Sequence, residues 1–197
     1  AATGMAAHTN RTDNPHGVTA AQVGALTAEQ DLAALRTYHY GSPDIVESPA
    51  EWFGFDGSGT ITAFNWAEGR ENVVIPWEIG GVPVTTIGAN AFRNLVTYQG
   101  HPVVSVVAPQ TVTAIGSSAF DSCRSLTSVI APQATSIGDS AFAYCLALAS
   151  IDLPQATSIG GYTFTDCYSL ASVVIPQVAS IGFSAFSGCL ALTYVDL

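Results

Sequence analysis

Five copies of one ten-residue block set the limits on what this chain can fold into. "TIGANAFRNL" ends at Leu95, "AIGSSAFDSC" at Cys123, "SIGDSAFAYC" at Cys145, "SIGGYTFTDC" at Cys167 and "SIGFSAFSGC" at Cys189. From the second copy onward the step is about 22 residues, shared by Ile115, Ile137, Ile159 and Ile181, by Phe120, Phe142, Phe164 and Phe186, and by Leu126, Leu148, Leu170 and Leu192. Pro132, Pro154 and Pro176, each followed by glutamine, keep the same step. A unit this short cannot bury its own apolar side, so the copies must stack into a solenoid whose coils share one core.

The pattern within a unit predicts its path. A short strand (Val129 to Ala131, then Ile151 to Leu153) runs to a turn at Pro-Gln. A second extended piece follows, ending at Ile-Gly, and then a compact helical turn through Ala-Phe. Proline at the strand end removes a donor and stops the ladder. The glycine after isoleucine is expected to supply a backbone angle that other residues resist. Strands in successive coils would lie about 4.8 Å apart, giving five coils a length of roughly 25 Å. The first copy is interrupted around "TYQGH", and "VVIPWEIGGVPVTTIG" before it matches half a unit with an insertion.

These motifs resemble the bacterial surface leucine-rich repeats of the BspA type, over roughly Phe53 to Leu197. The resemblance implies an α/β solenoid of leucine-rich repeats, about 22 residues per coil, with an N-terminal β-hairpin cap; a short helical segment is expected before it from the cap patterns at Thr19 and Thr27. The segment opening "FGFDGSGTITAFNWAEGR" looks like the hairpin that begins such arrays, and Trp52, Trp66 and Trp77 fall in or beside it. Bulky aromatics suit the open end of a solenoid core. At the other end the sequence stops at "LTYVDL", in mid-strand, and a partner or further chain is expected to shield that edge. With no methionine at position 1, the chain is expected to be a processed or excised piece.

A second signal lies at the start, in "HTNRTDNPHGVTAAQVGALTAEQDLAALRTY". Cap patterns at Thr19-x-x-Gln22 and Thr27-x-x-Gln30 predict one helical turn and then a short helix to about Arg36. A helix that short is marginal alone and needs packing partners. The stretch resembles a segment of phage and prophage tail-fibre proteins, through His8, Arg11, Asp13, Asn14, Pro15, His16, Val18, Thr19, Gln22, Val23, Gly24 and Ala25. That resemblance implies a homotrimer, with His8, Arg11, Asp13, Asn14, Pro15, His16, Val18, Gln22 and Val23 as oligomerisation residues. His8 and His16 would either meet symmetry mates around a metal or make hydrogen bonds within a folded linker, and the second reading is preferred. The expected organisation is a tail-fibre-like segment over 1–37, a linker over 38–51 with two prolines, a cap over 52–76 and repeats over 77–197.

Composition removes several functions. Fifteen acids face five arginines with no lysine, for a net charge of −10, so phosphate backbones and anionic lipid would be repelled. No apolar run approaches the ~18 residues that cross a bilayer. The four cysteines each occupy the same slot of the repeat, which spreads them along an axis and disfavours a tetrahedral metal site. Adjacent coils would bring their Cα atoms near 5 Å, yet stacked side chains point in parallel, which disfavours disulfides. Leu95 fills the slot in the first copy, so the thiols are expected to line an apolar wall. No catalytic constellation is found and no cofactor is expected. "DGSGT" (Asp56 to Thr60) reads as a hairpin turn, and Asp152 and Asp196 should lie two coils apart with Val174 between them.

What remains is a regular surface. On the strands the outward positions are Ser128 and Ile130, Ser150 and Asp152, Ser172 and Val174, Tyr194 and Asp196. After the cysteines, the turn edge presents Arg124, Leu146, Tyr168 and Leu190, with Tyr144, Tyr162 and Phe183 nearby. Together the two resemblances imply a non-catalytic tail-fibre component on a virion, binding a bacterial surface protein or glycan through its repeats. The alternative is an extracellular bacterial surface adhesin or protein-interaction module. Either would work by multivalent adhesion.

Overall fold

A computed structural model describes residues 47–65, 72–95 and 102–197. The tail-fibre-like segment at 8–25, the helix expected to about Arg36, all the oligomerisation residues and Trp66 lie outside the described residues.

The first ordered pieces close one end of the solenoid. A single 3-10 turn, Ala50–Trp52, leads into β1 (Phe53–Phe55), which pairs antiparallel with β2 (Thr60–Phe64). Asp56 shapes the turn between them: its carboxylate accepts the Ser58 backbone N–H at 2.7 Å, the Ser58 hydroxyl at 2.8 Å and the Thr60 backbone N–H at 3.0 Å. Those bonds, led by the Ser58 backbone N–H, pull its pKa down to about 2. Trp52, Phe53 and Phe64 are buried, and Phe64 stacks on Phe92 of the first repeat at 5.1 Å. Trp77 departs from the expected cap. It is 42% exposed beside the small hairpin of β4 (Glu78–Ile79) and β5 (Val82–Pro83), which takes up the inserted residues.

From there each coil gives one strand to each of two parallel sheets. The first sheet runs β1, β2, then β6 (Thr86–Ile87), β8 (Ala114–Ile115), β10 (Ser136–Ile137), β12 (Ser158–Ile159) and β14 (Ser180–Ile181). The second sheet comprises β3 (Asn72–Val74), β7 (Ser105–Val107), β9 (Ser128–Ile130), β11 (Ser150–Asp152), β13 (Ser172–Val174) and β15 (Tyr194–Asp196). The register is repeat on repeat, Ile137 opposite Ile159 and Ile151 opposite Val173. Between the sheets Phe92, Phe120, Phe142, Phe164 and Phe186 form one continuous stack with ring centres 5.0–5.5 Å apart.

The expected α/β class is corrected to a β-solenoid, because the described residues contain no α-helix. The Ala-Phe segment is a series of tight turns whose N–H groups alternate between targets. Ser118, Phe120 and Ser122 donate to Asp139, Ala141 and Ala143 of the next coil. Ala119, Asp121 and Cys123 donate within their own coil to Gly116, Ser118 and Phe120. The reason is width. A helix with its side chains is about 10–12 Å across, whereas the Phe stack holds coils little more than 5 Å apart. A helix in every coil would splay this edge, so the backbone instead forms a third ladder between coils.

The glycine expectation is also corrected. Gly88, Gly116, Gly138, Gly160 and Gly182 have no positive φ. A Cβ on Gly138 would lie 2.5 Å from the Ser117 nitrogen and 2.7 Å from the Gly116 carbonyl carbon. These glycines are there for close approach of one backbone to the next. Positive φ falls elsewhere, twice per turn edge: on Asn90 and Asn94, Ser118 and Ser122, Ser140 and Tyr144, Tyr162 and Asp166, Ser184 and Gly188.

Candidate interaction surface

The cysteine slot comes first, since it is the nearest thing to a chemical centre. All four thiols are free; Cys123, Cys145 and Cys167 are buried and Cys189 is partly so. Each Sγ–H donates to the carbonyl of a phenylalanine one coil earlier: Cys123 to Phe92 at 2.9 Å, Cys145 to Phe120 at 3.1 Å, Cys167 to Phe142 at 3.1 Å and Cys189 to Phe164 at 3.0 Å. The slot is therefore an apolar wall that also stitches coil to coil, which Leu95 cannot do. Among the described residues no group of three or more His, Cys, Asp and Glu side chains converges on a point suited to a metal ion.

Burial pushes the Cys123 and Cys167 thiols from the ordinary 9.0 up to about 12, and raises Cys145 and Cys189 as well. Above pH 9 the unfolded chain therefore holds fewer thiol protons than the folded one, and stability falls as pH rises from about 9 toward 12. The expected result is a melting temperature that drops more steeply over that range in the wild type than in Cys123→Ala/Cys167→Ala. Parallel slopes would show that the thiols do not carry the effect.

The strand face is uneven along the solenoid. Ser128, Ser150, Asp152, Ser172 and Val174 are half-buried, and Tyr194 and Asp196 are exposed on the last strand. Ile130, expected to face outward as a contact, is only 8% exposed and is not available as one. Asp152 pairs in register with Val174 and Val174 with Asp196, so the two carboxylates stand two coils apart. The last coil leaves core positions open: Ile181 is 40% exposed where Ile159 is 3%, and Val195 is 38% exposed where Val173 is fully buried.

The turn edge carries the larger apolar surface. Arg124, Tyr168 and Leu190 are exposed and Leu146 is half-buried. Tyr144, Tyr162 and Phe183 join them, at 46%, 44% and 69% exposure. The Tyr162 ring meets Phe183 edge-on at 4.6 Å, and the Phe183 ring lies over Gly161. The equivalents in earlier coils are not aromatic: Ser118 and Ser140 for Tyr162, Ser122 for Tyr144, and Arg124 and Leu146 for Tyr168. Exposed aromatics thus begin at the third full repeat and run to the end of the described array. Arg93 and Asp121 bind each other at 3.0 Å on the same edge two coils before.

Two of these aromatics have unusual backbones. Tyr144 (φ 59°) and Tyr162 (φ 56°) are left-handed, a conformation costing an ordinary L-residue roughly 1–2 kcal/mol. Asparagine, glycine, serine or aspartate fills nearly every other copy of those slots. The sequence held the signal for this, in Asn90, Asn94, Asp166 and Gly188 at equivalent positions.

A family model described as BspA type leucine rich repeat region matches residues 85–197, in six copies. Among solved structures, the chain is similar to a leucine-rich repeat protein of T. pallidum, with a TM-score of 0.66 and 28% identity over 77% of this chain and 82% of that one. A leucine-rich repeat protein of Eubacterium ventriosum is similar in fold, with a TM-score of 0.55 and 21% identity over 72% of this chain and 37% of that one. A leucine rich cell surface protein of Faecalibacterium prausnitzii matches with a TM-score of 0.45 and 27% identity, over 73% of this chain and 51% of that one. No curated protein matches the chain.

Proposed function

The chain belongs to the BspA-type leucine-rich repeat family, and from that membership we propose that it is a non-catalytic protein-interaction module of a bacterial surface, binding through the exposed aromatic turn edge of its later coils. The observation that carries this reading is the pair Tyr144 and Tyr162, both left-handed and both nearly half exposed. Strained backbone persists where it serves something other than stability. Tyrosine is a common anchor of binding surfaces, with a large apolar ring and a polar tip. The acidic composition favours a partner that is neutral or basic at the contact.

The tail-fibre role and the trimer it implied rest on residues 8–25 alone, and the comparisons give them no support. The interaction-module reading needs only the repeats.

Replacing Tyr144 and Tyr162 by asparagine, which the first repeat carries in both slots, should separate the two effects. Stability should rise by about 1 kcal/mol per site as the left-handed cost is relieved. Binding to an array of bacterial surface proteins and glycans should weaken at least tenfold, about 1.4 kcal/mol. A variant that binds as well as the wild type would remove this edge as the contact surface. A wild type that binds nothing on such an array would remove the adhesive function itself.

A further inference from the structure

Charge is one-sided where the exposed aromatics are. From Ser125 to Leu197 the sequence holds no lysine, arginine or histidine, and its charged side chains are Asp139, Asp152, Asp166 and Asp196. On the turn edge of the earlier coils a carboxylate meets a cation of the same chain: Arg93 binds Asp121 at 3.0 Å and reaches the Asn90 side-chain oxygen at 3.4 Å. The later coils carry two carboxylates on that edge, Asp139 exposed and Asp166 half-buried. Among the described residues no cation pairs with either. Aromatic rings stand beside them instead.

The geometry of the two clusters is similar. Asp139, Gly161 and Phe183 hold one slot in three successive coils. The Gly161 N–H donates to Asp139 Oδ1 at 2.7 Å, and the Phe183 ring lies over that same glycine. Carboxylate and ring thus converge on one residue, and Tyr162 closes the corner with its ring at 81° to Phe183. In the second cluster Asp166 follows Tyr144 in the same slot of the next coil, and the Tyr168 N–H bonds to the Asp166 carbonyl at 3.0 Å. A sugar stacks on a flat ring platform, which two rings set nearly at right angles do not make. A guanidinium or ammonium group suits the corner better: the ring quadrupole attracts it and the carboxylate pairs with it.

We propose that the turn edge of the later coils takes an extended basic segment of a partner protein, seating one arginine or lysine against Asp139, Tyr162 and Phe183 and another against Asp166, Tyr144 and Tyr168. The inference rests on the reading of this edge as the contact surface and adds the chemistry of what it contacts.

Fluorescence anisotropy of a short capped peptide of alternating serine and arginine, titrated with the full chain, tests it. The peptide should bind about tenfold more tightly than a counterpart with glutamine for arginine, and salt should weaken it. Asp139→Asn/Asp166→Asn should remove that preference. Asparagine still accepts the Gly161 N–H and tolerates the left-handed backbone of residue 166, so the urea midpoint should hold. Tyr162→Ser/Phe183→Ser, which restores the serines found two coils earlier and three coils earlier in those slots, should weaken binding without changing the charge. Glu51→Gln/Asp196→Asn removes as much charge from exposed positions elsewhere and should bind as the wild type does. Equal weakening in that control would overturn the proposal, since diffuse attraction to an acidic chain would explain the binding. No preference for arginine over glutamine would overturn it too. If Tyr144→Asn/Tyr162→Asn still lost binding to the array of surface proteins and glycans, the turn edge would stand as the contact surface with a partner that is not basic.

Discussion

Phe142→Ala should cost about 3–5 kcal/mol, the range for emptying a fully buried aromatic position. The ring is completely buried and stacks on Phe120 at 5.2 Å and on Phe164 at 5.5 Å. Its loss removes contacts to both neighbouring coils at once, and neither coil can move in to fill the gap. Phe120 and Phe164 are held at their spacing by the strand ladders and by the turn ladder, Phe120 N–H to Ala141 among its bonds. In a one-dimensional array stability is a sum of coil terms and interface terms, so a defect at the middle weakens two interfaces together. At an m-value of roughly 2 kcal/mol per M, the urea midpoint should fall by about 2 M, and the transition should broaden or split. Tyr168→Ala, at an exposed position of the adjacent coil, should change stability by no more than about 0.5 kcal/mol. A loss below about 1 kcal/mol at Phe142 would mean that the ring column does not hold the coils together.

Gly138→Ala should destabilise by about 3 kcal/mol, the upper end of the cost of overpacking. The sign is the informative part. Glycine to alanine at a compatible site stabilises by roughly 0.4–1 kcal/mol through the unfolded chain, and Gly138 has no positive φ to oppose the change. What opposes it is the neighbouring coil, whose Ser117 nitrogen and Gly116 carbonyl carbon would lie within 2.7 Å of the new methyl. Both are backbone atoms, so the coil must shift as a body, lengthening the bond from Gly138 N–H to the Ile115 carbonyl, now 2.8 Å. Gly161→Ala is the contrast. Its methyl would meet the ring of Phe183, which is 69% exposed and free to swing away, so the cost should stay within about 0.5 kcal/mol. Equal effects at the two glycines, measured by urea unfolding, would refute the close-approach account.

Both predictions draw on columns that were plain in the sequence, though their physical meaning was not. The 22-residue step by itself puts Phe142 and Gly138 in columns. It did not reveal that glycine serves contact rather than conformation, because both uses leave the same letter at the same step. The positions that do need a left-handed backbone, such as Asn90 and Asn94, lie three and seven residues beyond Ile87 and vary in identity from copy to copy. The candidate surface was legible in the same partial way. Tyr168 and Leu190 are exposed, whereas Ile130, at an outward position of its strand, is buried. Alternation along a strand gives the direction of a side chain and says nothing of what lies above it.

The sequence by itself determined the solenoid, the coil length, the Phe, Ile and Leu columns of the core and the shared slot of the cysteines, because a strict repeat forces equivalent residues into equivalent environments. Only the tertiary structure decided that the third edge is a ladder of turns, that each thiol bonds to the phenylalanine carbonyl of the coil before, and that the core glycines serve close approach of one coil to the next. These depend on distances between coils. A spacing close to 5 Å leaves room for a turn but not a helix, for a bare glycine but not an alanine, and that spacing is set by the stacking of whole coils.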